Sequence, residues 1–257
     1  MFSERFLDEK SLKKIDKKYQ YIINRVGVDN KTLDEVFDKY TLSTIEKLIS
    51  NKIIDILDFP ISTGKEGNVF RAITPKKKFV VVKIFRTSTS TFKHISDYII
   101  GDPRFKNFHK NRKDVVHAWT KKEFKNLEKL KKIGVKAPKP ILYADNVLVM
   151  QYIGDIRHPA PMLRDIIVEN PQKIFDTIIN YILIMFKKGE IVHSDLSAFN
   201  ILYYRKKPYI IDLGQGVLLD HPRSLEFLKR DIDNITKYFK RYNIRADANK
   251  IYRSIMN

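Results

Sequence analysis

Four polar residues, His193, Asp195, Asn200 and Asp212, stand among apolar ones between Ile191 and Gly216. Ile191-Val192, Ile201-Leu202 and Ile210-Ile211 read as short buried strand pieces, and each piece ends near one of the polar groups. Two carboxylates and an amide held rigidly in this way are hard oxygen donors. They suit a metal-assisted site of unspecified type. His193 reads as a hydrogen-bonding residue of the scaffold rather than a base.

A cation completes the set. Lys83 lies inside the apolar run Phe79-Val-Val-Val-Lys-Ile-Phe85. A lysine so placed needs an anionic partner, because an unpaired buried charge is costly. Upstream, Ile61-Ser-Thr-Gly-Lys-Glu-Gly-Asn-Val-Phe70 puts Gly64 and Gly67 between two β-rich runs. Glycines there permit a tight turn and close backbone approach to a ligand. With Ser62, the turn offers small residues and backbone N–H groups that suit phosphates. It is neither a Walker loop nor the Gly-x-Gly-x-x-Gly of ordinary kinases. Protein kinases place a phosphate-holding Lys in Val-Ala-Ile-Lys on their third strand, paired with a helical Glu. Val81-Val82-Lys83-Ile84 fits that slot, and Glu123 is the candidate partner, set at a cleft edge on a helix from Ala118 to Ile133 whose Phe124, Leu127 and Leu130 fall at helical spacing.

The elements that must position these residues follow in chain order. Residues 1–52 read as an N-terminal helical extension in which Ser43 and Glu46 form a capping box. Residues 53–153 read as a β-rich lobe, interrupted by a mobile insertion at about 86–115 that carries the hydroxyl cluster Thr87-Ser-Thr-Ser-Thr91. Ile141 to Tyr152 is strand-like, and a strand stopping at Ile153-Gly154 connects two lobes. Its backbone is suited to hydrogen-bond an adenine, with Met150 lining the pocket. Residues 154–257 supply a helical lobe. The greasy run Ile174 to Phe186 is too short to span a bilayer and contains Asp176 and Asn180, so it reads as a buried helix.

Composition bounds the rest. The chain of 257 residues suffices for one core or for two lobes sharing a cleft. It holds no cysteine, which excludes disulfides and thiolate metal sites and favours a cytoplasmic setting. Met1 to Lys18 is charged throughout, unlike a signal peptide. The net charge of +19 suits a polyanionic partner such as RNA, although a Lys-, Ile- and Asn-rich composition alone also gives it. From Arg104 to Lys139, 13 Lys and Arg stand against three acids.

Asp195-x-x-x-x-Asn200 has the spacing of a kinase catalytic loop, and Asp212-Leu-Gly stands for Asp-Phe-Gly. Together with Ser-Thr-Gly-Lys-Glu-Gly-Asn-Val, Val-His-Ser-Asp-Leu-Ser-Ala-Phe-Asn-Ile-Leu and Trp119-Thr-Lys-Lys-Glu123, the chain resembles the RIO family of atypical kinases, in particular its type-1 branch, over about residues 35 to 240. It departs at Gly67, where an Ala is usual, and at Ala198, where an acid is usual. The resemblance implies an α+β bilobal protein-kinase-like fold, with a β-rich N-lobe and a truncated helical C-lobe. It implies a serine/threonine protein kinase with ATPase activity that uses ATP and Mg²⁺. Lys83 would hold the phosphates and Glu123 would orient it. Met150 to Ile153 would form the adenine hinge. Asp195 would be the catalytic base, and Asn200 and Asp212 would bind the metal. The family is associated with small ribosomal subunit precursors, rRNA and proteins alike, and with a phospho-aspartate intermediate, which would make Asp212 a phosphate acceptor. Self-phosphorylation would fall in 86–115, and no membrane is involved.

Only about 45 residues follow Asp212, with no Ala-Pro-Glu and with Ser194, not Arg, before Asp195. A chain of this kind is expected to lack the peptide-docking floor of ordinary kinases. Two other readings stay open at this point: a small-molecule phosphotransferase with the same catalytic loop, and an RNA- or ribosome-binding assembly factor that uses ATP as a conformational switch.

Overall fold

The computed structural model describes residues 37–64, 67–86, 98, 102 and 112–257. Most of the N-terminal extension and nearly all of the expected insertion, including Thr87 to Thr91, lie outside the described residues.

The chain enters with α1 (Lys39–Ser50), then the strands β1 (Ile56–Thr63), β2 (Gly67–Ile73) and β3 (Phe79–Phe85). Helix α2 (Arg112–Ile133) precedes β4 (Pro140–Ala144) and β5 (Val147–Gln151). The five strands form one antiparallel sheet in the order β1-β2-β3-β5-β4. Pro60 is accommodated because β1 is an edge strand and its register shifts there.

Strand β3 is central and rich in β-branched residues, and it is buried along nearly its whole length. Side chains alternate across a strand. Val80, Val82 and Ile84 therefore face one way, into a cluster with Phe37, Ile45 and Leu48 from the α1 side and Val147 and Val149 of β5. Val81 and Phe85 face the other way, into the main core with Leu148 and Met150. Lys83 must share this second face. That parity puts a cation on the side of the sheet that looks at the rest of the molecule.

The remaining chain is mostly helical. A 3-10 turn (Leu163–Asp165) leads to α3 (Pro171–Lys187), which buries Ile174, Phe175, Ile178, Tyr181, Ile182, Met185 and Phe186. Four short strands follow. β6 (Ile191–Val192) pairs with β9 (Val217–Leu218), and β7 (Ile201–Tyr204) pairs with β8 (Lys207–Ile210). Helices α4 (Ser224–Phe239) and α5 (Ala248–Met256) close the fold. No helix among the described residues is long and apolar enough to cross a membrane.

Three expectations need correction. The cap of α1 is not the Ser43–Glu46 box: Asp38 is the N-cap, its carboxylate accepting the Thr41 N–H at 2.7 Å. Helix α2 starts at Arg112, not Ala118, so the last part of the expected 86–115 insertion is helix, and Val115 and Val116 are buried in the core. The stretch Ile141 to Tyr152 is two strands, not one. They turn at Asp145, whose φ is 53°.

Candidate active site

The ammonium of Lys83 lies 2.9 and 2.8 Å from the two carboxylate oxygens of Glu123 and 3.0 Å from Oδ1 of Asp212. The three residues come from β3, from α2 and from the loop after β8. Glu123 is only 1% exposed, and it meets Lys83 on the wall of the cleft, where the sequence expected it. Burial alone would lower the pKa of Lys83, but the carboxylates of Asp212 and Glu123 outweigh it and raise it. Burial likewise would raise Asp212, but Lys83 holds it below the usual carboxylate range.

The 193–200 loop is braced from below by α4. Both oxygens of Asp231 accept backbone N–H groups, from Ser194 at 2.9 Å and Leu196 at 2.8 Å. Arg230 donates to the Ser194 carbonyl, and Asn234 to that of Leu196. Ser194 has φ 71° and Asp212 has φ 63°, left-handed conformations that a non-glycine residue holds only when its surroundings impose them. His193 Nδ1 accepts the Asp195 N–H at 3.3 Å, so Nε2 carries the proton that reaches the Ile211 carbonyl at 2.9 Å. With both ring nitrogens engaged in the backbone, His193 splices the catalytic-type loop to the strand before Asp212.

Asn200 donates its amide to the Asp195 carbonyl at 2.8 Å and to Asp195 Oδ2 at 3.0 Å. The nitrogen is thereby committed, and the amide oxygen is the group left for a cation. Burial raises the pKa of the Asp195 carboxyl above its usual value, with the nearby Asp212 charge adding to it, against the lowering effects of His193, Asn200 and Arg230.

These groups border a cavity of about 520 Å³ between the sheet and the helical part. Its wall includes Ser62, Gly64, Lys83, Glu123, Met150, Ile153, Asn200 and Asp212. Asp195 is next to that wall, bonded to Asn200. Gly64 N–H bonds Gly67 O at 3.0 Å, closing the turn over the cavity. At Gly67 an added Cβ would lie 2.4 Å from the Ile84 carbonyl, so the strands approach too closely here for a side chain. Among the described residues no cluster of three His, Cys, Asp or Glu groups could hold a metal unaided. The Asn200 oxygen and the Asp212 carboxylate fit Mg²⁺ if phosphate and water supply the other ligands.

Asp231 went unnoticed in the sequence. Its signal was there: it falls on the helical face formed by Phe227, Leu228, Ile232 and Ile235, where an acid is out of place unless something holds it. Burial pushes its carboxyl up to about 6, despite the two N–H bonds that favour the anion. The folded state thus prefers the protonated form over the unfolded chain. Its stabilising contribution is full below about pH 4 and is lost as pH rises through 6. Asp231→Asn cannot titrate. In denaturant melts, the stability of wild type relative to this variant should therefore fall by about 2 kcal/mol between pH 4.5 and 7. A difference that stays constant or grows with pH would count against the assignment.

The RIO domain family profile matches residues 68–251. A RIO-type serine/threonine-protein kinase Rio1 of Haloferax volcanii is 41% identical over 225 residues, covering 88% of this chain and 77% of the relative. Rio1 of Methanocaldococcus jannaschii is 38% identical over 98% of this chain and 87% of its own, and Rio1 of Thermoplasma acidophilum is 47% identical over 71% and 96%. The fold is similar to the Rio2 kinase of Chaetomium thermophilum, solved as an ADP/Mg²⁺-phosphoaspartate complex, with TM-score 0.63 and 22% identity over 82% of this chain and 65% of that one. The bilobal kinase-like architecture expected from sequence is thus found, and with the family profile spanning most of its length, the chain belongs to the RIO family of serine/threonine protein kinases.

Proposed function

We propose that the protein binds ATP with Mg²⁺ and transfers or hydrolyses its γ-phosphoryl group, as a RIO-type kinase and ATPase. The observation that carries this reading is Lys83, held between Glu123 and Asp212 on the wall of a nucleotide-sized cavity. Lys83 would take the phosphates and Glu123 would keep it aimed. Ser62 and Gly64 would cover them. The carbonyl of Ile153 already accepts the Ala160 N–H at 2.9 Å, so an adenine contact at Ile153 would use its N–H, with Met150 behind the ring. Bound through Asn200 and Asp212, Mg²⁺ would neutralise charge on the phosphates. Asp195 would take the proton of the attacking hydroxyl or water. Asp212 is also the candidate phosphate acceptor: its oxygen would bond the γ-phosphorus as the bond to ADP breaks, and water would later release phosphate. The Rio2 complex, which contains a phosphoaspartate, supports that assignment by likeness.

The test is a time course with γ-labelled ATP and Mg²⁺. Hydroxylamine-labile label on the wild-type protein, missing from Asp212→Asn, together with phosphate release, is the expected result; neither label nor phosphate release would overturn the reading. Hydroxylamine-resistant label would instead locate phosphate on Ser or Thr, including the 86–115 region.

A small ribosomal subunit precursor is the proposed partner, and a specific feature favours RNA contact. Lys121, Lys125 and Lys132 fall on the outer face of α2 and are exposed. RNA affinity should drop steeply with salt. Lys121→Glu with Lys132→Glu should weaken it at least about tenfold in filter binding. Salt-insensitive binding, or none, would remove this second reading. No observation favours a small-molecule substrate.

A further inference from the structure

Another lysine, on α2, is buried more completely than Lys83 of β3. Lys122 is fully inaccessible, yet it is not part of the cavity wall. Burying an ammonium is expensive, so something must require it. Its Nζ donates to the Gly214 carbonyl at 2.8 Å, and it lies 4.9 Å from the centre of the Trp119 ring. Asn126, one turn further on, donates to the carbonyls of Leu213 at 2.8 Å and Gly216 at 2.9 Å. Trp119 packs flush on Gly214, where an added Cβ would come within 2.8 Å of the indole nitrogen. Trp119, Lys122 and Asn126 are spaced three and four residues apart, so they form one column along the helix. The column grips the backbone of Asp212-Leu-Gly-Gln-Gly216 at three carbonyls.

The neighbouring position on the helix, Glu123, holds Lys83, which in turn holds Asp212. Helix α2 therefore reaches Asp212 twice: through the Lys83 ammonium and through the loop backbone. Asp212 has a left-handed φ of 63°, so its loop needs outside bonds to keep that conformation. An apolar side chain at position 122 would leave the Gly214 carbonyl without this donor, at the cost of burying an unsatisfied group.

We propose that Lys122, with Asn126, is a positioning residue for Asp212, locking the 212–216 loop to the helix that carries Glu123 so that the carboxylate and Lys83 are presented as one unit. The claim that this matters for phosphoryl transfer rests on the function proposed above. The clamp itself does not.

The experiment uses the full chain, with Lys122→Met and, separately, Asn126→Leu, each checked for folding by circular dichroism and thermal melting. Without nucleotide, amide hydrogen exchange in 212–216 should rise at least about tenfold in either variant, while exchange in β3 and α3 stays near wild type. In ATP turnover, kcat should fall by about 30-fold or more with little change in the KM for ATP, and the Mg²⁺ concentration for half-maximal rate should rise several-fold. Unchanged exchange in 212–216 overturns the proposal, whatever the turnover. So does a lower melting temperature with kcat and Mg²⁺ dependence intact. If wild type shows no ATP turnover, the proposed function fails, and the exchange measurement still decides the clamp. If Lys122→Met does not fold, Asn126→Leu carries both readouts.

Discussion

Asp195→Ala should lower ATP turnover by about a thousandfold or more and leave the fold at least as stable as wild type. A positioned general base contributes roughly 10² to 10⁴ in rate, and Asp195, bonded to Asn200 beside the cavity, is not bonded to Lys83 as Asp212 is. Burial raises its pKa, and the nearby Asp212 charge adds to that. Two consequences separate a catalytic role from a structural one. As a base, Asp195 must be ionised, so turnover should fall on an acid limb that lies above the usual carboxylate range, and that limb should be missing from any residual activity of the variant. For stability the sign is opposite to that of a salt-bridged acid. A folded pKa above the unfolded one means that ionising Asp195 disfavours the fold as pH rises. Its removal at pH 7 should therefore not lower the melting temperature. ATP affinity should change little, because the carboxylate is not on the cavity wall. Turnover within a few-fold of wild type would discard Asp195 as the base.

The residues proposed for this chemistry were legible because their types clash with their surroundings. Lys83 in a valine-rich strand, and Asp195, Asn200 and Asp212 at the ends of apolar pieces, each stand out against a local pattern that strand parity or burial explains. What was illegible depended on distant partners. The burial of Glu123 is set by its meeting Lys83, 40 residues away in sequence. Its helix also carries Lys122 and Asn126 on buried positions, and in a run so rich in lysine nothing distinguished Lys122 from its solvated neighbours Lys121 and Lys125. The start of α2 looked like loop because it follows the Thr87–Thr91 hydroxyl cluster and the Gly101-Asp-Pro103 breaker. Only Val115, Val116 and Trp119, spaced for the core, mark it as helix. At α1 two local signals competed. Ser43 with Glu46 fits a capping box, but Asp38 caps the helix, since the apolar face begins at Phe37 and Thr41 and Ile45 follow on it. The hairpin at Asp145 was hidden because its turn is stabilised from outside: Asn146 donates to Thr41 Oγ1 at 2.8 Å and to the Phe85 carbonyl at 3.0 Å.

Lys83→Met should abolish ATP turnover to within about a thousandth of wild type and also destabilise the fold by about 3 kcal/mol at neutral pH. The two effects have different causes and can be pulled apart. Catalysis suffers because the cavity loses its cation for phosphate. Stability suffers because Glu123, almost wholly buried, and Asp212 lose the ammonium that lies within 3.0 Å of each. The pH dependence follows from Asp212, whose carboxyl Lys83 holds down. A depressed folded pKa gives stability that is present above the unfolded pKa and disappears as pH falls through the folded one. The gap between wild type and Lys83→Met should thus be widest near neutrality and narrow below about pH 4. Adding Glu123→Gln to Lys83→Met replaces a buried carboxylate by a neutral amide of the same shape, so it should recover much of the lost stability. It should recover none of the turnover, since no cation returns to the cavity. Denaturant melts and phosphate release on the three variants check this directly. If the double variant regains activity along with stability, Lys83 matters only as a structural counter-charge, and the phosphate-binding role falls.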